Sequence, residues 1–191
     1  HRIGKGVVVD MGIKLDQPAH SAADEPGCLH MQLLDKLLPY PAQMQSAAFD
    51  LLAANAEFGA TFTDGYFDGI AKAGVALVTC MDSRIEPLRM LGLRLGDAKI
   101  LRSPGGRVSA EVLTGCVLSV QLLQVNRIMI VPHTRCAMAS GTDADIRRKI
   151  AEKTGEDTSW ISFGANPDQM GRLQEDVDMV SRHPLIRGEA E

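Results

Sequence analysis

Long apolar runs are missing from this chain of 191 residues. Its most apolar stretches, Gly74 to Val78 and Ile128 to Pro132, fall far short of the ~20 residues that a membrane-crossing helix needs, which excludes a helical bilayer-spanning protein. An excess of positive charge is missing as well. The formal net charge is -4 and the pI is near 5.7, with no basic stripe or tail of the kind that neutralises a phosphate backbone, so nucleic acid is not an expected partner. No internal repeat, low-complexity tract or Gly/Ser linker argues for a second domain. The apolar part of the N-terminal stretch, Ile3 to Val9, is too short for a signal-peptide core, and a cytoplasmic protein is expected. Cysteine is scarce, with four residues (Cys28, Cys80, Cys116 and Cys136). In a reducing compartment such residues serve as metal ligands, catalytic groups or core fillers rather than disulfide partners.

What is present suits one folded domain spanning 1–191: 45% of the residues are hydrophobic and 23% charged, and a chain of this size buries a core without staples. Residues 15–28, polar and broken by two prolines, read as an irregular arm, followed by a helix over Pro41 to Phe58 with Met44, Ala47, Ala48, Leu51 and Leu52 along one stripe. Three short apolar runs (Gly74 to Thr79, Ala98 to Arg102, Arg127 to Val131) have the pattern of strands buried on both faces. Between the second and third, Ser109 to Val125 opens on a capping signal and carries Val112, Leu113, Cys116, Val120 and Leu123 on one face. Strand, helix and strand in that order predict a parallel crossover and an α/β fold. Asp143 to Lys153 and Pro167 to Ser181 read as outer helices, the second with Met170, Leu173, Val177 and Val180 inward.

The chemistry-bearing residues stand at the carboxyl ends of these strands, where open parallel sheets bind ligands. Cys80-Met81-Asp82-Ser83-Arg84 follows the first strand and His133-Thr134-Arg135-Cys136 the third. If the two strand ends are neighbours, two thiolates and one imidazole converge, a donor set that suits zinc better than magnesium or calcium. The spacing of His133 and Cys136 fits one turn where a strand feeds a helix, and a helix amino terminus would favour the thiolate of Cys136. Three ligands rather than four leave a position open for water, whose pKa zinc lowers to near ~7. Asp82 and Arg84 form a bidentate pair that fixes a carboxylate beside that position, or the Asp82 carboxylate takes the fourth position itself.

The Cys-x-Asp-Ser-Arg motif, the Gly105-Gly106 turn after the next strand and His133-x-x-Cys136 together resemble the β-class carbonic anhydrases in type, order and separation. The resemblance covers roughly 54–186, including the segment Asn55 to Phe62, and leaves 1–53 as an N-terminal arm and helix. It implies a mainly parallel central sheet flanked by helices, and one Zn2+ per chain held by Cys80, His133 and Cys136. Asp82 and Arg84 would be the catalytic dyad, Asp82 the fourth metal ligand in a closed form, and the assembly a homodimer or higher homo-oligomer whose N-terminal helices wrap the partner. The implied reaction is reversible hydration of carbon dioxide to bicarbonate. The chain departs from the family pattern where Arg102-Ser103-Pro104-Gly105 replaces Arg-Asn-Ala-Gly and where Ala137 replaces a glycine. Both changes lie near the expected pocket, so hydrolysis of carbonyl sulfide or carbon disulfide is the rival chemistry, and a non-catalytic zinc protein closed by Asp82 the rival class. Cys116 and Cys28 read as ordinary apolar fillers, and His20, His30 and His183 have no companions at ligand spacing.

Overall fold

The computed structural model describes residues 51–63 and 68–191. These fall in two compact units, 51–63 in one and 68–191 in the other. In the first, helix α1 (Leu51–Thr61) runs three residues past the predicted end at Phe58, with the rings of Phe58 and Phe62 packed at 5.1 Å between centroids. The arm over 15–28 and the first part of the predicted helix, 41–50, lie outside the described residues.

The second unit is built on a three-stranded parallel sheet of β1 (Val75–Cys80), β2 (Ala98–Ser103) and β3 (Arg127–Val131), in the order β2-β1-β3. Every residue of β1 is buried, as a central strand covered on both faces requires. Its one hydroxyl in the interior, Thr79 Oγ1, donates to Val131 O at 2.8 Å, so the polar group is satisfied across the sheet. Cys80 is level with Ser103 and Thr79 with Val131, so all three strands end at the same height. A single helical turn, α2 (Pro87–Met90), starts on the proline suited to that position.

The predicted crossover is α3 (Ala110–Leu122), capped by Ser109, whose side chain accepts from Val112 N–H. Gly115 lets this helix close on β2, since a Cβ there would stand 2.9 Å from a Leu101 methyl. The helix stops before the expected Val125 because Gln124 turns left-handed (φ 58) and Val125 N–H returns to Ser119 O at 3.0 Å. Two outer helices follow, α4 (Asp143–Thr154) and α5 (Gln169–Arg182). The apolar core joins Val78, Val108, Val112, Cys116, Ile130, Leu173, Val180 and Ile186. The inward face of α5 differs from expectation at two places: Met170 is exposed, while Asp176 is 1% exposed and meets Arg107 inside. Beyond α5 the chain returns to the outer edge of β3, where Glu191 O accepts from Ile128 N–H at 2.8 Å. Among the described residues no helix is long and apolar enough to cross a membrane.

Candidate metal centre

Because β1 and β3 are hydrogen-bonded neighbours running in the same direction, Cys80 at the end of one and His133 just beyond the end of the other are forced together. After His133 the main chain turns back through Arg135, which holds a left-handed φ of 55, and delivers Cys136 to the same spot. The ligand atoms of Cys80, His133 and Cys136 all lie within 4.8 Å of one another and all three residues are buried. The Sγ atoms of Cys80 and Cys136 are 3.9 Å apart. Two sulfurs each ~2.3 Å from a tetrahedral zinc stand about 3.8 Å apart, so the observed spacing is that of a zinc pair.

Both ring nitrogens of His133 are buried without a hydrogen-bond partner. An imidazole that is 2% exposed and unpartnered is costly unless something accepts its lone pair, and a metal does so. The donor set and the orphaned nitrogens therefore fit zinc. Burial pushes the Cys136 thiol up, Cys80 beside it adds to this, and the amides of Met138 and Ala139 oppose it. The helix following Cys136 is a three-residue 3-10 turn, Ala137–Ala139, and burial outweighs the expected pull of a helix terminus toward the thiolate.

Asp82 stands beside this cluster, its Oδ2 3.8 Å from His133 Nε2. The carboxylate is held by Arg84: Nε donates to Oδ1 at 2.9 Å, Nη2 to Oδ2 at 2.7 Å, and the Arg84 amide to Oδ1 at 2.9 Å. The Arg84 side-chain hydrogen bonds, then its amide, hold the Asp82 carboxyl well below the usual carboxylate range, so it is an anion throughout the ordinary pH range. Arg84 Nη2 also reaches Arg135 O at 3.5 Å, bridging the two loops.

The turn at Gly105 and Gly106 backs this site as expected. Gly106 (φ 70) lies so close to β1 that a Cβ would meet Cys80 N at 3.1 Å and Thr79 C at 3.2 Å. A solvent-open cleft lies on the Cys136 side between this turn and α5 and includes Met138, Asn166 and Gln169 in its lining. Two residues that sequence reasoning left without a role touch the site loops. Gln169 Nε2 donates to His133 O at 3.0 Å, and Arg102, read as the end of the second strand and the first residue of the Arg102-Ser103-Pro104-Gly105 motif, donates to Cys80 O and Asp82 O. Their partners are main-chain carbonyls, which leave no trace in residue type. Cys116 lies in the core, as its position in the crossover helix predicts.

A parallel α/β sheet with a Cys-His-Cys cluster at its carboxyl edge and an ion-paired aspartate beside it defines a candidate metal centre of a recognisable kind. The family model described as carbonic anhydrase matches residues 75–182, and the chain belongs to the β-carbonic anhydrase family. It is 31% identical over 137 residues to β-carbonic anhydrase 1 of Mycobacterium bovis, covering 72% of this chain and 83% of that one. The crystal structure of a carbonic anhydrase from Streptococcus mutans superposes with a TM-score of 0.64 at 33% identity, over 73% of this chain and 83% of that one. A carbon disulfide hydrolase of Saccharolobus solfataricus is 27% identical over 135 residues, 58% of this chain and 65% of that protein.

Proposed function

We propose that the protein is a zinc-dependent carbonic anhydrase that interconverts carbon dioxide and bicarbonate, working as a homodimer or higher homo-oligomer in the cytoplasm. The observation that carries this reading is the buried, unpartnered His133 imidazole between two thiols, with an ionised carboxylate 3.8 Å away. Cys80, His133 and Cys136 would hold one Zn2+. Zinc, when bound, supplies the Lewis acidity that makes water nucleophilic near neutral pH. Asp82 contributes an acceptor of fixed position and fixed charge, which takes a hydrogen bond from the attacking water and orients it toward the carbon. Arg84 keeps that carboxylate turned away from the ligand set. Without Arg84 the carboxylate is free to join Cys80, His133 and Cys136 and close the site, the arrangement in which Asp82 is a ligand.

The carbon disulfide hydrolase relatives support the second chemistry, hydrolysis of a linear sulfur analogue. Stopped-flow assays of the purified full chain against carbon dioxide, carbonyl sulfide and carbon disulfide decide between them, with metal analysis alongside. Zinc at one per chain, largely lost in Cys80→Ser and His133→Ala, is the expected result; full zinc in both variants would remove the assignment. Arg84→Ala should keep its zinc and lose about a hundredfold in kcat, the scale of a catalytic group misplaced by an ångström. A wild-type rate in that variant would return Asp82 and Arg84 to a structural ion pair. Bound zinc with no activity on any of the three substrates would favour a non-catalytic zinc protein.

A further inference from the structure

Asp82 is held at two ends by two different arginines. Arg84 grips the carboxylate. Arg102, level with Thr79 near the end of β2, reaches across the sheet edge to the main chain of the loop that follows β1. Its Nε donates to Cys80 O at 3.0 Å, and its Nη2 to Asp82 O at 2.6 Å and, more weakly, to Ile85 O at 3.4 Å. The last rung of the ladder between the two strands is Met81 N–H to Ser103 O at 3.0 Å, so Arg102 takes over the anchoring of the loop where main-chain pairing ends. Charge-assisted hydrogen bonds from a planar fork are among the stronger restraints that a side chain imposes. Residues 81–86 form no helix or strand; besides Arg102, the loop is held by Ile85 N–H donating to Asp82 O at 3.1 Å and by the buried Ile85 side chain against Cys80 and Cys136.

We propose that Arg102 is a positioning residue for the Asp82–Arg84 pair: by fixing three carbonyls between Cys80 and Ile85, it sets where the Asp82 carboxylate stands relative to His133. The kinetic part of this proposal rests on the reading of the site as catalytic; the geometric part does not. A purely structural arginine would, when removed, lower stability and leave the pair as it is. A positioning arginine would let the pair move while the fold and the metal remain.

The test uses the zinc-loaded full chain and Arg102→Met, which keeps much of the apolar stem and removes every donor. The direct readout is the Arg84 Nε–H signal in a 15N spectrum, identified by its loss in Arg84→Lys, whose position and solvent exchange report the pairing with Asp82. In Arg102→Met that signal should shift and exchange at least about tenfold faster, kcat should fall about tenfold with KM within about twofold, and zinc should stay at one per chain, the scale expected for losing charged hydrogen bonds. An unmoved Arg84 signal, a moved signal with unchanged kcat, or loss of zinc would each overturn the proposal. If Arg102→Met does not fold, Arg102→Gln, which keeps an NH2 donor without the fork, is read by the same criteria. Should the wild type turn over none of the three substrates, the functional reading fails on its own and the Arg84 signal still decides whether Arg102 positions the pair.

Discussion

At the scale of single residues, the three described cysteines have separate fates set by what surrounds them. Cys80 and Cys136 converge with His133, while Cys116 is fully buried in the core, where burial pushes its thiol up to about 11. The thiolate is the nucleophile, so native zinc-loaded protein treated with iodoacetamide at pH 8 should leave Cys116 unmodified, and the same peptide should label fully after denaturation. Labelling of Cys116 in the native state, read by peptide mass spectrometry, would mean that the core opens. The Cys80, His133 and Cys136 cluster was legible in the sequence because chemistry-bearing residues at the ends of apolar runs have few other reasons to be there. Arg102 and Gln169 were not. An arginine ending a strand is ordinary, and what makes this one unusual is a set of carbonyl partners 17 to 22 positions earlier.

At the scale of elements, periodicity located the strands and long helices to within a few residues, and β3 falls on the predicted residues 127–131. The Gly105-Gly106 turn was read from its glycines and is a 3-10 turn, Pro104–Gly106, whereas the four-residue α2 and the 3-10 turn at Ala137–Ala139 escaped, since three or four residues are too few to display a period. Local capping chemistry is where element stability can be tested. Thr142 opens α4 with a capping box: its hydroxyl accepts from Asp145 N–H at 3.2 Å, and the Asp145 carboxylate accepts from Thr142 N–H at 2.9 Å. Thr142→Ala should cost about 1 kcal/mol, a fall in Tm of ~2–4 °C in a domain of this size. The Thr142 hydroxyl and amide, with Arg148, hold the Asp145 carboxyl well below the usual range. A depressed carboxylate stabilises fully above its unfolded pKa of ~3.9 and loses that contribution as pH falls through the folded value. Thermal melts of the pair should therefore differ by a constant amount from pH 5 to 8 and draw together in strong acid; a gap that widened in acid would contradict the capping-box account.

At the scale of the whole second unit, the Gly105-Gly106 turn and the last helix are joined by an ion pair no local pattern announces, Arg107 to Asp176, 69 positions apart. Arg107 donates bidentately, Nε to Oδ2 at 2.5 Å and Nη2 to Oδ1 at 2.8 Å, to a carboxylate that is 1% exposed. Asp176→Ala removes both of these hydrogen bonds and leaves the guanidinium with Glu175, at 3.8 Å, as its carboxylate neighbour, a loss of about 3 kcal/mol, and should lower Tm by ~10 °C in a calorimetric melt. A melt within a degree or two of wild type would show that the turn and α5 are held by apolar packing alone. Helix order and the parallel crossover were readable from the chain, whereas this long-range pairing arises only once the fold has closed. The same closure has a kinetic meaning for the metal site. Cys80 and Cys136, 56 positions apart, meet because β1 is zipped to β3 across a separation of 52 residues, one of the slowest kinds of contact for a chain to find. The cluster is thus assembled after the rate-limiting search, and a metal that recognises only the finished cluster acts on escape from the native state rather than on arrival. Refolding of the purified chain should proceed at the same rate in zinc and in chelator, while unfolding in denaturant should be markedly slower with zinc; faster refolding with zinc would place the Cys80–Cys136 encounter in the folding nucleus instead.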